Sequence, residues 1–181
     1  SPPASGDILD VNATGTEFNG KLQLKLEAIG FAPAAIDKSE FLPYSPRPAE
    51  EMLQEVLATI MEFQDKEIQQ LTSELIGEAG ETLKKFPAAK QMHHAEIGGL
   101  LHHITSMLKL AKGIAANYPE LNRDLLLAGV IIHDLGKMQE MERNELGLVT
   151  DYTVQGKLVG HIVCGAMNIE RAGKRIGVSD N

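Results

Sequence analysis

His133 and Asp134 stand side by side at the end of an apolar run from Leu125 to Ile132. Neither is cheap to bury without a partner, because an unpaired polar or charged group loses its hydration on entering a core. Lys137 follows four residues after His133 and three after Asp134, so on a helix it shares their side. His103 comes from the apolar segment before them and His161 from the segment after. Imidazoles and a carboxylate converging from several buried helices are satisfied together by a divalent cation, and helix bundles build metal sites this way. Mixed nitrogen and oxygen donors suit Mn, Fe, Co, Zn or Ni better than Ca. Each residue also has a plainer role. An inward histidine taken singly is most often a satisfied core residue, and Asp134 can pair with Lys137. The joint pattern is what points to a metal.

Two more candidates lie nearby. His93 and His94 precede a helix, where they can touch a substrate or simply face water. Cys164 is one turn from His161, but no third group orients such a pair, so we read it as a packed thiol rather than a nucleophile.

The elements that must carry these residues are mostly helices. The first helix of the helical part starts at Pro48, a residue suited to a first turn, and Glu50 and Glu51 suit the positive N-terminal dipole. Met52, Val56, Ile60 and Phe63 form its apolar stripe. A second helix spans about 68–76 and a short one about 81–86, ended by Pro87. A third runs from about Glu96 to Asn117, with Leu100, Ile104, Met107, Leu110, Ala111 and Ile114 inward. On it His103 shares the apolar side, whereas His102, Thr105, Ser106, Lys109 and Lys112 face water. A fourth runs from about Arg123 to Met138, capped by Asn122 and apolar nearly all round. A fifth runs from about Val154 to Ile176. Leu158, Ile162, Gly165, Ile169 and Ala172 line its inner side, and Gly156, Gly160 and Gly165 point to close packing.

Ahead of the helices, Leu22, Leu24 and Leu26 alternate with Lys21, Gln23, Lys25 and Glu27, the period of a strand with one buried face. Asn19-Gly20 is a favoured hairpin turn, with Ile8 to Val11 as the partner strand. Four prolines between Phe31 and Pro48 mark an extended linker.

The 181 residues are 43% hydrophobic and 23% charged, as expected for a folded domain. No apolar run is long enough to span a membrane. The opening SPPASGDIL has neither the charged nor the apolar region of a signal peptide. A single cysteine fits a reducing compartment, and we expect a cytoplasmic protein. The net charge of −8 argues against broad, non-specific nucleic-acid binding, which needs cations to replace phosphate counterions. Lys84, Lys85 and Lys90, and Arg171, Lys174 and Arg175, form small basic clusters that we read as solvated helix faces.

HHITSMLKLA followed by IIHDLGK resembles the HD-domain metal-dependent phosphohydrolases. FLPYSPRPAEEM, PAAKQMHHAEIGGLLHH, LNRDLLLAGVIIHDLGK and DYTVQGKLVGHIV, in that order, are more closely similar to the YhaM-type 3′–5′ exoribonucleases. The resemblance covers about residues 6–165. It implies a mainly α fold, a helical HD bundle over residues 49–181. A short antiparallel β segment over 1–31 would be the closing strands of an OB-fold, with a linker over 32–48 between them. It further implies His103, His133 and Asp134 as metal ligands, His161 as a ligand of a second metal or a contact to the phosphate, and Lys137 as a contact to the substrate phosphate. We take Asp134 and Lys137 as the catalytic groups, and from their place before the helix we keep His93 and His94, with Lys137, as substrate contacts. The metal would be Mn²⁺ by preference, with Fe, Co, Zn, Ni or Mg as alternatives.

The family also carries more OB-fold strands upstream, and downstream helices with a histidine pair and a late aspartate that completes the metal site. We therefore expect this chain to be short at both ends; Asp180 lies too near the end to replace that aspartate.

Three functions compete at this point. One is a metal-dependent phosphodiesterase that shortens single-stranded RNA, or single-stranded DNA, from the 3′ end. Another is a phosphohydrolase of small nucleotides, which the acidic charge favours. The last is a non-catalytic module that binds nucleic acid or protein around a structural metal. No membrane partner is expected, and a homo-oligomer is compatible with each.

Overall fold

A computed structural model describes residues 2–3, 7–33, 35–36, 38–90, 94–144 and 146–178. The chain divides into two compact units, Ser1–Leu42 and Pro43–Asn181. Among the described residues no helix is long and apolar enough to cross a membrane.

In the first unit, β1 (Leu9–Phe18) pairs antiparallel with β2 (Lys21–Phe31). Asn19 (φ 53°) and Gly20 (φ 74°) make the two-residue turn, whose positive dihedrals match the twist of the strands. The hairpin is longer than the Ile8–Val11 partner expected from sequence, because Ala13 to Phe18 continue the ladder beyond a register shift at Asn12/Ala13. The alternation of β2 is real, but its apolar face is not buried. Leu22 is 86% exposed and Leu24 69% exposed, since a two-stranded sheet supplies no second layer.

The second unit is helical. In α1 (Ala49–Met61), Met52, Val56 and Ile60 are buried, as is Phe63 just beyond it, and this is the expected stripe. Each such side chain contributes about 1.5–3 kcal/mol by leaving water. Asp65 caps α2 (Lys66–Leu83), its Oδ1 accepting from the Glu67 and Ile68 N–H groups. The two short helices expected here are one kinked helix, bent at Gly80 (φ 51°).

α3 (Gly99–Asn117) buries Leu100, Leu101, Ile104, Thr105, Leu108 and Ala111. Its inner side is therefore turned from the expected one. Leu110 is 68% exposed, whereas Thr105 is buried with its hydroxyl donating to the Leu101 carbonyl at 3.0 Å. Apolar residues cover so much of this helix that their pattern leaves the centre of the inner side undefined, and the hydroxyl is satisfied locally.

α4 (Arg123–Ile132) begins at Asn122, whose Oδ1 accepts from the Leu125 N–H at 3.0 Å. It is not buried all round, since Leu125 is 60% exposed. It also stops early: residues 133–136 form a tight turn before the single turn of α5 (Lys137–Glu140). A small hairpin follows, β3 (Met141–Arg143) with β4 (Val149–Tyr152).

The last expected helix is two, α6 (Val154–Leu158) and α7 (Gly160–Ile176), broken where Gly160 takes φ 78°. Leu158 and Ile162 flank that break and are exposed, whereas Cys164, Gly165 and Ala172 are buried. The close packing expected of Gly156 is present, because a Cβ there would run into the Glu140 carbonyl.

Half of the residues in the two basic clusters are ion-paired. Lys84 meets Glu50 and Glu81, Lys174 meets Glu170, and Arg175 meets Glu74 and Glu78.

Candidate metal centre

The turn at residues 133–136 joins α4 to α5 and carries the His-Asp pair. α3 presents His103 to it, and the first turn of α7 presents His161. Asp134 is the hub. Its Oδ2 lies 3.4 Å from His103 Nε2, 3.3 Å from His133 Nε2 and 2.9 Å from Lys137 Nζ. Its Oδ1 lies 3.5 Å from His161 Nε2. His103, His133 and Asp134 offer ligand atoms within 4.8 Å of one another, close enough to hold one ion.

The imidazoles are held from behind. His133 Nδ1 lies 2.9 Å from the Val130 carbonyl, which fixes the proton there and leaves Nε2 as a donor toward a metal. His161 Nδ1 lies 3.0 Å from both carboxylate oxygens of Glu140. The His161 backbone N–H also donates to Glu140 Oε1, at 3.1 Å, so one carboxylate orients the ring and satisfies an orphan N–H at the start of α7. The donor set and its supporting groups fit a divalent transition metal.

Close approach is built into the turn. A Cβ on Gly136 would collide with the His161 carbonyl, so only glycine lets the turn sit against α7.

Charges are arranged to keep the site ready. Burial opposes ionisation of Asp134, but hydrogen bonds from His133 and Lys137 outweigh it and hold the carboxyl well below the usual carboxylate range. Burial pushes the His103 imidazole down, against the pull of Asp134. The hydrogen bond to Asp134 pushes His133 up. Lys137 is not a free cation, because Nζ also donates to the Ala88 carbonyl at 2.9 Å. The ion pair expected as the plain alternative is thus present together with the metal-like cluster.

His103, His133, Asp134, Lys137 and His161 are therefore brought together. His94 lies beside them, its ring 5.8 Å from that of His103, while His93 lies outside the described residues, as does Asp180. Cys164 is buried and reduced, 3.3 Å from Gln155 Nε2, and plays no part in the cluster. Sequence reasoning missed Glu140. It belongs to a helix of a single turn, where no periodicity can flag an inward carboxylate.

The HD domain family matches residues 100–180. The matched segment holds His103, His133, Asp134 and His161, and is similar to HD domains. Among curated proteins it is 41% identical to the 3′-5′ exoribonuclease YhaM of Geobacillus sp. (strain WCH70) over 165 residues, 90% of this chain and 50% of that protein. It is 35% identical to the protein of the same name from Halalkalibacterium halodurans over 176 residues, 96% of this chain and 54% of that protein. For the one from Listeria monocytogenes (strain F2365) the identity is 41% over 147 residues, 80% and 46% of the two chains. The chain spans about half the length of the curated relatives it matches. No solved structure matches it significantly.

Proposed function

We propose that the protein containing this chain is a metal-dependent 3′–5′ exoribonuclease acting on single-stranded RNA. The observation that carries this is the convergence of His103, His133 and Asp134 inside a segment similar to HD domains, in a chain whose relatives are named for that activity. In this reading His103, His133 and Asp134 hold a divalent cation, Mn²⁺ by preference, and His161 completes that side of the site. A bound cation there supplies Lewis-acid polarisation of the phosphate and a water of lowered pKa. Glu140 and the Val130 carbonyl keep the two imidazoles aimed. Lys137 spans Asp134 and the incoming phosphate, where a fixed cation stabilises charge on the phosphorus oxygens. The β1–β2 hairpin belongs to an OB-like module that guides single strand, and the enzyme works in the cytoplasm.

The net charge of −8 favours a second reading, a phosphohydrolase of small nucleotides. Full-length protein supplied with Mn²⁺ and 3′-labelled RNA separates the two. We expect labelled mononucleotide to be released by the wild type and not by His133→Ala. Equal behaviour of the two proteins would overturn the proposal. Turnover of free nucleotides that RNA does not inhibit would favour the second reading.

A further inference from the structure

A second cluster of donors lies near His103, whose ring is 5.8 Å from that of His94. His94 Nδ1, His102 Nδ1 and Glu96 Oε1 form a triangle with edges of 3.0, 3.2 and 3.3 Å. All three side chains are about four-fifths buried, with exposures of 19–21%.

Hydrogen bonds alone serve this triangle poorly. Each Nδ1 carries at most one hydrogen, directed along one line. If one nitrogen is protonated, its hydrogen satisfies one edge and leaves lone pairs facing each other along another. If both are protonated, both point at Glu96 and set two N–H groups together 3.0 Å apart. One cation serves every edge at once. Taking bonds of about 2.0–2.1 Å, an ion above the triangle touches all three atoms while sitting about 1 Å out of their plane, which leaves its outer positions open.

The backbone is shaped to bring these groups together. His94 takes φ 61°, a left-handed conformation that costs a side-chain-bearing residue free energy and persists only where its surroundings impose it. They do so here. The Ala88 N–H donates to the His94 carbonyl at 2.8 Å, and Gly99 lies so near that carbonyl that a Cβ would collide with it. The Gly99 N–H then donates to the Glu96 carbonyl at 2.9 Å, closing the turn that delivers Glu96 to the start of α3.

We propose that His94, Glu96 and His102 form a second binding site for a first-row divalent transition metal, separate from the centre around Asp134. Two imidazole nitrogens and one carboxylate oxygen are donors for ions of the Zn, Co or Fe class rather than Ca or Mg. His94 is then a ligand of this ion, not a substrate contact. The ion pins the strained turn at residues 94–98 to α3, next to His103.

The test uses Co²⁺ as the probe, added to metal-free full-length protein and followed by equilibrium dialysis and visible absorption. In the His133→Ala/Asp134→Asn background, which disables the first centre, we expect one tightly held Co²⁺ with ligand-field bands in the visible. Adding Glu96→Gln or His102→Ala to that background should abolish both the bands and the bound ion. Far-UV circular dichroism should stay unchanged, and Zn²⁺ should displace the Co²⁺. Two results overturn the proposal: no bound Co²⁺ in the background protein, or bound Co²⁺ that survives both added substitutions. Neither touches the first centre, whose failure would instead show as wild-type protein binding no more ions than the background.

Discussion

Glu140 faces His161 Nδ1 with both carboxylate oxygens at 3.0 Å and accepts the backbone N–H of the same residue. One side chain thereby fixes where α7 begins and which way its first imidazole points. The carboxylate behind a metal-facing histidine is a recurrent device, and its loss typically costs 10–100-fold in metal affinity. Glu140→Ala should weaken metal binding by about that factor. Glu140→Gln, which keeps an acceptor for the N–H, should do so less. Isothermal titration of the metal-free protein measures both.

Gly136 and Gly129 predict opposite outcomes for the same substitution. At Gly136 a Cβ meets the His161 carbonyl, a backbone atom that cannot move without shifting α7. Gly136→Ala should destabilise the fold by about 1–3 kcal/mol, as overpacking does, and move His161 away from Asp134. At Gly129, within α4, an added Cβ meets nothing within 4 Å. Gly129→Ala should stabilise by about 0.5–1 kcal/mol through helix propensity. Urea unfolding curves of the two variants should lie on opposite sides of the wild type.

Much of this was legible in the sequence, for identifiable reasons. The Met52, Val56, Ile60 and Phe63 stripe needs only a helical period and a single core, and all four are buried. The inner side of α3 differs from the expected one because Leu110 and Ile114 are as apolar as Leu101 and Leu108, and only tertiary packing distinguishes them. The centre around Asp134 is legible because His103, His133, Asp134 and His161 are ligand types set among apolar helices, although only Asp134 is buried and His133, expected inside, is exposed because its turn lies at the end of α4. Their supports are not legible. Val130 and Ala88 act through backbone carbonyls, which carry no sequence signal. The helical phase of His102 lies among polar residues, yet its ring turns back toward His94 and Glu96.

Asp124 carries a stability prediction that leaves the site alone. It is buried at the start of α4, and its Oδ2 accepts from the Gln64 N–H at 2.6 Å and the Asp65 N–H at 2.9 Å, tying the α1–α2 turn to α4. Asp124→Ala orphans both donors and should cost about 2–4 kcal/mol. Asp124→Asn keeps an oxygen and should cost less. The midpoint of thermal unfolding checks both, and metal stoichiometry should not change in either.

Lys137 should separate binding from turnover. Its ammonium holds Asp134 Oδ2 at 2.9 Å but contributes no lone pair to a metal. Lys137→Met should therefore keep the bound ion and lower turnover by about 10²–10³, the usual effect of removing one group that stabilises charge in the transition state. Metal content and kcat measured on the same preparation decide it.

The most direct test of the central claim is a crystal grown with Mn²⁺ and measured for anomalous scattering. We predict a peak within about 2.0–2.3 Å of His103 Nε2, His133 Nε2 and an Asp134 oxygen, with positions left open to water. An empty locus, with Lys137 alone on Asp134, would contradict it.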